Sequence, residues 1–422
     1  MLISKALSPR LNKPRFSHLQ LFAVAILISV PQSVNAEEIS PVEQLSTFLE
    51  NHGISDVVDQ PFAKRPISKQ DAQRATEILS AARLDKVRGE TQKELDSREL
   101  RVDGLDLTMP FWFEVYGEAP SDGHSLYISM HGGGGAPKRV NDGQWENQKL
   151  LYKPDEGIYV APRAPTDTWD LWHQSHVDRF YDRLIEMMVA HHHVNPDRVY
   201  IMGYSAGGDG VYQLAPRMAD RLAAAAMMAG HPNETKPDGL RNIGFTLFMG
   251  GKDAAYKRNQ IAADWKGKLA ALKKEDPSGY DHEVTIFPEF GHWMQRKDAV
   301  AVPWMAKFTR KQWPDRVVWL QDDVTHDRFY WLQVPSVTDQ ARKKIIARCD
   351  GQAISIESKS PVTLLLSDKL LNLDQPINVT LNGQNLEAIT TKRTISTIAD
   401  SIAKYGAARP VPTATAQIPL AP

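Results

Sequence analysis

The chain has 422 residues, a formal net charge of −1 at pH 7 and one cysteine, Cys349. Its length allows two or three domains, and its 42% apolar content is ordinary for a globular protein. The balanced charge gives no reason to expect nucleic acid or an anionic membrane surface as a partner. A lone cysteine excludes an internal disulfide, and we interpret Cys349 as a buried filler because no histidine constellation accompanies it.

Residues 1–36 predict an export signal. A positively charged start is followed by a short apolar core at 21–30 and by small residues at 34–36 that suit a cleavage site before Glu37. The apolar core is too short for a comfortable membrane span. We therefore expect a periplasmic or secreted protein with no stable membrane insertion after signal cleavage. The alternative, an N-terminal segment kept as an anchor, stays open because the positive region is unusually long.

Residues 37–100 predict a polar, helical lead-in. Ser68 is a candidate helix N-cap with Asp71 in the first turn, followed by apolar residues at helical spacing. Two interpretations stay open: the lead-in packs on the next domain and covers part of its site, or it is an exposed arm.

Residues 101–314 predict an α/β domain whose mostly parallel sheet, starting near 105–116, has helices on both faces. Strand-like and helical segments alternate here, and the helix predicted from 176 to 188 has one apolar face. Three consecutive histidines, 191–193, end this helix. They cannot all face one ion on a regular helix, so we interpret them as solvent-exposed residues with weak metal binding at most.

A predicted strand at 126–130 leads directly into His131 and the glycine run 132–135. Glycines let backbone N–H groups point at a developing negative charge with no side chain in the way. We expect Gly133 or Gly134 to supply one such oxyanion-hole donor. A flexible linker is the less favoured interpretation, since linkers rarely begin directly off a buried strand.

Three tryptophans are candidate substrate contacts. Trp169 and Trp172 lie in an aromatic loop after a predicted strand, and Trp293 lies in a loop further along the domain. Tryptophan faces suit sugar rings and aromatic acyl groups, but a packed rim is an equal alternative because tryptophan is mostly buried on average. His173 and His176 lie three residues apart without an evident third ligand, so we expect neither a catalytic metal nor a cofactor.

The pentapeptide G-Y-S-A-G at 203–207 is the most informative motif of the chain. It follows an apolar strand at 199–202 and precedes a helical stretch, which is the context of a nucleophile elbow. An isolated match is equally well an ordinary turn, so the elbow depends on further residues. If it forms, the Ser205 hydroxyl stands clear of the backbone and the N–H of Ala206 becomes the second oxyanion-hole donor.

Two further residues follow in the order that an elbow serine requires. Asp253 lies just past one apolar strand, and His292 lies in the loop after another. The carboxyl ends of parallel strands share one edge of a sheet, so we expect both residues to meet Ser205 there. Asp253 as a helix cap is the alternative. His282 precedes its strand and is rejected as the base.

Residues 315–393 predict a small, antiparallel, β-sandwich-like domain from closely spaced strand candidates and turn signals at 350–351 and 382–383. It could bind a carbohydrate or another polymer, but we favour a packing appendage. Residues 394–422 predict a helix at 394–405 and then a disordered tail after 407, which is rich in Pro and Ala.

On these motifs the chain resembles the α/β-hydrolase superfamily. Within it, the chain is similar to serine esterases of the polyhydroxybutyrate-depolymerase and feruloyl-esterase type, bordering on prolyl-oligopeptidase-type catalytic domains. The resemblance spans roughly 105–312. The residues that carry it are 131–135, 203–208, Asp253 and 291–292.

The resemblance implies a carboxylesterase. Ser205 would attack an ester carbonyl, His292 would accept the serine proton, Asp253 would orient His292, and an acyl-enzyme would form. Acetylated polysaccharide, feruloylated polysaccharide and polyester all fit as substrates. Two alternatives stay open: a serine peptidase on the same fold, and a non-catalytic binding protein on a hydrolase scaffold.

Overall fold

The computed structural model describes residues 39–419. Its largest sheet has eight strands. The predicted export signal at 1–36 lies outside the described residues. The strands of the sheet are β1 Glu99–Arg101, β2 Thr108–Tyr116, β3 His124–Met130, β4 Gly157–Pro162, β5 Val194–Tyr204, β6 Ala224–Met228, β7 Gly244–Gly250 and β8 His282–Phe287. Their spatial order is β1-β2-β4-β3-β5-β6-β7-β8. The strands from β3 to β8 are parallel, and β2 is antiparallel to β1 and β4.

Helices cover both faces of this sheet, which confirms the predicted fold class. The α-helices of the described residues are α1 Pro41–Leu49, α2 Ile54–Val57, α3 Lys69–Ser97, α4 Lys138–Lys149, α5 Ser175–His192, α6 Ala206–Arg217, α7 Arg258–Glu275, α8 Ala301–Met305 and α9 Ile395–Tyr405. Short 3₁₀ helices lie at Ala219–Arg221, Pro237–Asn242, Ala255–Lys257 and Lys297–Val300.

Two hydrophobic cores result from the alternation of side chains along the strands. Ile201 of β5 lies in the core that α5, α6 and α7 cover, whereas its neighbours Tyr200 and Met202 lie in the core that α8 covers. Successive strand residues point to opposite faces, so one apolar strand contributes to both layers. Both layers exclude water from the strands that carry the site at their carboxyl ends.

The lead-in is packed rather than an exposed arm. Helices α1, α2 and α3 share a third core with α9, in which Leu45, Leu79 and Ile398 are fully buried. Ser68 caps α3 as predicted, because its Oγ accepts the N–H of Asp71 at 3.0 Å. Helix α3 therefore begins where the sequence indicated, and the lead-in buries its apolar residues against the C-terminal helix α9.

Two further sheets follow the eight-stranded one, which confirms the antiparallel β region predicted at the C-terminal side. Their strands are β9 Arg316–Leu320, β10 Arg328–Phe329, β11 Leu332–Gln333, β12 Lys344–Asp350, β13 Ala353–Glu357, β14 Val362–Leu366, β15 Asn378–Leu381, β16 Gln384–Asn385 and β17 Ala414–Ile418. The sheets have the orders β16-β15-β13-β12-β9 and β10-β11-β14-β17. The pair β13–β15 is parallel, which the prediction missed.

Residues 408–419 are ordered, so the expectation of disorder is wrong for this part of the tail. Strand β17 pairs antiparallel with β14 along its whole length. Ala414, Ala416 and Ile418 are buried, whereas Thr415 and Gln417 face outward. This alternation of buried and exposed residues is a strand signal that the Pro- and Ala-rich composition concealed.

Buried ion pairs join the C-terminal sheets to the helices of the central sheet. Asp178 of α5 accepts two hydrogen bonds from Arg217 of α6, and it also lies 2.7 Å from His326 Nε2 in the β9–β10 connection. Arg409 and Asp220 form a second buried pair across the same boundary. The described residues from 40 to 419 accordingly form one unit. None of the helices within 39–419 has both the length and the apolarity needed to cross a bilayer.

We expect Asp178→Ala to lower the stability of the fold strongly. The side chains of Asp178 and Arg217 are each 3% exposed, so the substitution leaves a buried guanidinium unpaired, at a cost of about 3–5 kcal/mol. Thermal unfolding followed by circular dichroism measures the effect. Glu90→Ala, which breaks the exposed pair with Lys86, is the control and should change stability by less than about 1 kcal/mol. Equal small shifts for both variants would contradict this account.

Candidate active site

The structure brings Ser205, Asp253 and His292 together at the carboxyl edge of the sheet. They follow β5, β7 and β8, respectively. His292 Nε2 lies 3.0 Å from Ser205 Oγ, and His292 Nδ1 lies 2.6 Å from Asp253 Oδ2. A carboxylate on Nδ1 favours the tautomer whose Nε2 is free to accept the serine proton. Lys257, not Asp253, is the N-cap of α7, so the capping alternative does not hold for that helix.

Ser205 occupies a backbone conformation that ordinary residues avoid. Its φ of 59° and ψ of −121° belong to the tight turn between β5 and α6. A Cβ on Gly203 would lie 2.2 Å from the carbonyl oxygen of Gly207, and a Cβ on Gly207 would lie 2.1 Å from that of Met130. Glycine is therefore required at both positions for the turn to form. The N–H of Ala206 starts α6, so it has no acceptor within the helix.

His131 orients the glycine run beside the nucleophile. Its Nε2 accepts the N–H of Ala164 at 3.1 Å, so its proton is on Nδ1, which donates to the carbonyl oxygen of Gly132 at 2.6 Å. Burial lowers the pKa of His131 to about 4, which keeps the ring neutral. Because the Gly132–Gly133 peptide is planar, fixing the Gly132 carbonyl makes the N–H of Gly133 point the opposite way. His131 thus fixes the direction of one predicted donor.

Gly134 is not available as an oxyanion donor, so that part of the prediction is wrong. Its N–H donates to Asn141 Oδ1 at 2.8 Å. Asn141 is fully buried on α4 and its Nδ2 also donates to Asp167 Oδ1 at 2.9 Å. Gly133 remains the candidate in the glycine run. Gly132 was not predicted, yet it lies against the nucleophile, since a Cβ on Gly132 would be 3.2 Å from Ser205 Cβ.

The three predicted tryptophan contacts have different positions. Trp293 is 51% exposed and lines the cavity above Ser205. Trp169 is 65% exposed and lies outside that cavity, against the far end of the glycine run. Trp172 is fully buried and its Nε1 donates to the carbonyl oxygen of His131 at 2.9 Å. Trp172 therefore supports the oxyanion loop and cannot contact a substrate, which corrects the prediction for this residue.

A cavity of about 700 Å³ opens onto Ser205, a volume typical of small-molecule sites. One wall consists of α4 and the residues after it, which the sequence analysis did not identify. Trp293 and Arg296 from the His292 loop form another part of the lining. Among the described residues, α1, α2 and α3 contribute nothing to this lining, so the lead-in does not cover the cavity. The residues of the α4 wall are Val140, Gln144, Asn147, Gln148, Leu150 and Leu151.

Tyr204 ties the nucleophile elbow to the His292 loop. Its hydroxyl donates to the carbonyl oxygen of His292 at 2.6 Å and accepts the N–H of Met294 at 2.9 Å. One phenol therefore holds the backbone on both sides of Trp293, and it belongs to the residue before Ser205. The motif contains this tyrosine, but no local pattern in the sequence indicates a partner 88 residues away.

In the described part of the chain, 39–419, the other histidine and acidic clusters do not form an evident metal site. His191 hydrogen-bonds to Thr91 Oγ1 at 2.9 Å and the His192 ring packs edge-on against Phe113, so only His193 is exposed. The interpretation of all three as solvent-exposed residues is therefore wrong for His191 and His192, because α3 and β2 cover this helix end.

Within residues 39–419, one set of three acidic side chains, Glu234, Asp322 and Asp323, lies close enough to share an ion. Arg342 already forms ion pairs with all three of them, at 2.6 to 4.0 Å.

Residues 151–323 match the model of the Dienelactone hydrolase family. This part of the chain is thus a dienelactone hydrolase family domain, within the α/β-hydrolase superfamily, and the resemblance to that superfamily is confirmed. The matched range contains Ser205, Asp253 and His292.

A curated relative is the bifunctional acetylxylan esterase/xylanase XynS20E of Neocallimastix patriciarum. It is 29% identical over 127 residues, which cover 28% of this chain and 18% of that protein. The chain thus matches less than a fifth of the relative's length.

Similar solved structures include a thermostable esterase, with 16% identity, a TM-score of 0.40 and coverage of 50% of this chain and 62% of that chain. Esterase PE8 has 19% identity, a TM-score of 0.34 and coverage of 48% and 99%. A ferulic acid esterase has 14% identity, a TM-score of 0.34 and coverage of 50% and 95%. These similarities extend over half of the chain or less.

We expect Tyr204→Phe to lower kcat about tenfold with little change in KM on an aryl ester. The substitution removes the hydroxyl that holds the His292 backbone, so the imidazole is placed less well for proton transfer while the cavity keeps its shape. Steady-state kinetics on p-nitrophenyl acetate measure both constants.

Tyr200→Phe is the matched control for this prediction. Tyr200 is a buried tyrosine of the same strand, and its hydroxyl donates to the carbonyl oxygen of Phe308 at 2.9 Å, away from the site. Its loss should lower stability to a similar extent and leave kcat within twofold. The same fall in kcat for both variants would show that Tyr204 has only a structural role.

Proposed function

We propose that this chain is an exported serine carboxylesterase that works through an acyl-enzyme. The observation that carries the proposal is the hydrogen-bonded chain from Asp253 through His292 to Ser205 at the end of a strained turn. The family match and the relative named as an acetylxylan esterase/xylanase support esters as the substrate class. Acylated polysaccharide and polyester are the substrates we consider.

The first half of the reaction acylates the enzyme. Ser205 Oγ attacks the ester carbonyl carbon while its proton moves to His292 Nε2. The carbonyl oxygen becomes an oxyanion that accepts the N–H groups of Gly133 and Ala206. When the tetrahedral intermediate collapses, the bond to the alcohol oxygen breaks and the imidazolium of His292 gives this oxygen its proton. The acyl group then remains on Ser205 as an ester.

The second half hydrolyses the acyl-enzyme. Water loses a proton to His292 Nε2 and attacks the acyl carbon, and collapse returns that proton to Ser205 Oγ with release of the acid. Asp253 stabilises the imidazolium in both halves, since its side chain is almost fully buried and accepts a hydrogen bond from Nδ1–H. Arg258 Nη1 lies 3.8 Å from the other oxygen of Asp253 and forms an ion pair with it.

We expect Ser205→Ala to lower kcat on p-nitrophenyl acetate roughly 10⁴-fold or more, because it removes the nucleophile and leaves the binding groups in place. It should also abolish labelling by a fluorophosphonate probe, while the circular dichroism spectrum stays unchanged. Ser46→Ala is the control, since Ser46 lies on α1 and its hydroxyl donates to the carbonyl oxygen of Val42. Near wild-type turnover by Ser205→Ala would remove Ser205 from this role.

The rates of hydrolysis of an aryl ester and of an aminoacyl-arylamide with the same acyl group distinguish an esterase from a peptidase. A carboxylesterase hydrolyses the ester at least 100-fold faster, whereas comparable rates on the arylamide would favour the peptidase. A wild-type protein that neither turns over any ester nor reacts with fluorophosphonate would favour a non-catalytic binding protein.

Export is proposed from the sequence of residues 1–36 alone. We expect a mature protein whose first residue is Glu37, because cleavage after small residues removes a signal of this type. Mass spectrometry of the protein recovered outside the cytoplasm checks the N-terminus. Recovery of the chain from the cytoplasm with residues 1–36 intact would contradict export.

A further inference from the structure

Exposure distinguishes two tryptophans from all others in the chain. All ten tryptophans lie in the described residues, and only Trp169 and Trp293 are classed as exposed. Both are associated with the glycine run 132–135: Trp293 lines the cavity that Gly132 and Gly133 also line, and Trp169 lies against Gly135. Leaving two indole rings in water forgoes the free energy that burying them would contribute. Such exposed aromatic surface commonly marks a binding site.

The two tryptophans are associated with different parts of the glycine run. Gly132 and Gly133 line the cavity that also contains Trp293. At the other end, a Cβ on Gly135 would lie 3.4 Å from the Cβ of Trp169. We infer that a ligand in contact with both the cavity and Trp169 extends along the loop. An ester bond above Ser205 would then have one half in the cavity and the other on Trp169.

The Trp169 segment is held rigidly. The N–H of Gly135 donates to the carbonyl oxygen of Asp167 at 3.0 Å, and the carboxylate of Asp167 accepts Asn141 Nδ2 at 2.9 Å. The same carboxylate also forms an ion pair with Arg163. The exposure of Trp169 is thus a fixed property of the loop, and a ligand that binds there does not have to order it first.

Polar side chains that are close to Trp169 along the chain hydrogen-bond to one another. Gln174 Nε2 donates to Thr168 Oγ1 at 3.1 Å and to Asp170 Oδ1 at 2.9 Å, and Thr166 Oγ1 lies 2.9 Å from Thr168 Oγ1. We call Trp169 with Thr166, Thr168, Asp170 and Gln174 the Trp169 surface. An apolar face bordered by hydroxyl, amide and carboxylate groups matches a sugar ring, whose face is apolar and whose edge donates and accepts hydrogen bonds. A polyester has no donor for the carboxylate.

We propose that the Trp169 surface binds the saccharide part of an acylated polysaccharide, while the acyl group enters the cavity lined by Leu150, Leu151 and Trp293. This assignment rests on the proposed esterase function and adds the orientation of the ester to it. The carbohydrate chain lies on the exposed indole, crosses the glycine run and presents its acylated oxygen to Ser205.

The kinetic test uses two acetate esters that differ only in the alcohol, acetylated xylan and ethyl acetate, both titrated at constant pH. Trp169→Ala should lower the ratio of kcat/KM on acetylated xylan to kcat/KM on ethyl acetate about tenfold, mainly through KM, which corresponds to about 1.4 kcal/mol. Trp169→Phe should keep most of the ratio, because a ring remains. An equal loss on both esters would overturn the assignment.

The binding test is independent of turnover. In a native gel that contains acetylated xylan, Ser205→Ala should migrate more slowly than in a plain gel, and adding Trp169→Ala should remove most of this retardation. Adding Val337→Ala, which changes an exposed apolar residue of the connection between β11 and β12, should leave it unchanged. Sedimentation with polyhydroxybutyrate granules tests the other polymer. Trp169-dependent sedimentation without retardation by xylan would overturn the assignment in favour of polyester.

The two proposals fail in different ways. If Ser205→Ala is retarded through Trp169 but the wild type hydrolyses no ester, the esterase function fails and the saccharide-binding surface stands. If the wild type hydrolyses esters but Trp169→Ala changes neither retardation nor the kcat/KM ratio, the surface fails and the esterase function stands.

Discussion

Close approach of backbone segments at the strand ends is the constraint on which the site depends. Gly203 and Gly207 let the Ser205 turn close against β3, as the positions of their missing Cβ atoms show. A second close approach at a glycine brings Asp253 and His292 together. A Cβ on Gly250 would lie 1.9 Å from the carbonyl oxygen of Gly291. The end of the Asp253 strand therefore touches the loop of His292 directly. Side chains at these glycines would separate the three groups by more than a hydrogen bond can span.

The two histidines of this site have different environments: His292 hydrogen-bonds to Ser205, whereas His131 is fully buried. His131 lies close by, but burial and its two hydrogen bonds keep it neutral and fix its tautomer. Its function is to orient a peptide. Burial also raises the pKa of Asp298, whose carboxyl hydrogen-bonds to the buried hydroxyl of Tyr152 beneath the His292 loop. The carboxyl group that contacts His292 is the one of Asp253, on a different loop.

The sequence was sufficient for the residues whose positions follow from topology. Ser205, Asp253 and His292 each end or follow a parallel strand, and parallel strands place such residues at one edge whatever the details of packing. The predictions that failed depend on contacts between distant segments. The side-chain oxygen of Asn141 accepts the N–H of Gly134, which is therefore not an oxyanion donor. The carbonyl oxygen of His131 accepts the indole N–H of Trp172, which is therefore not a substrate contact. The sequence analysis identified neither α4 as a wall of the cavity nor β17 as a strand, because neither segment contains a continuous apolar run.

The His292 loop illustrates a further property that no single motif encodes. Gln295 and Arg296 both have left-handed φ values, 51° and 62°, which cost roughly 1–2 kcal/mol each for residues other than glycine. The loop holds this conformation because Tyr204 binds its start and the Tyr152–Asp298 pair binds its end. The strained residues lie in the His292 loop, whereas Tyr204 and Tyr152, which stabilise the loop, lie in β5 and after α4. The base therefore keeps its position only while the elbow, α4 with its following turn, and the loop pack together, and the catalytic geometry is a property of their joint packing.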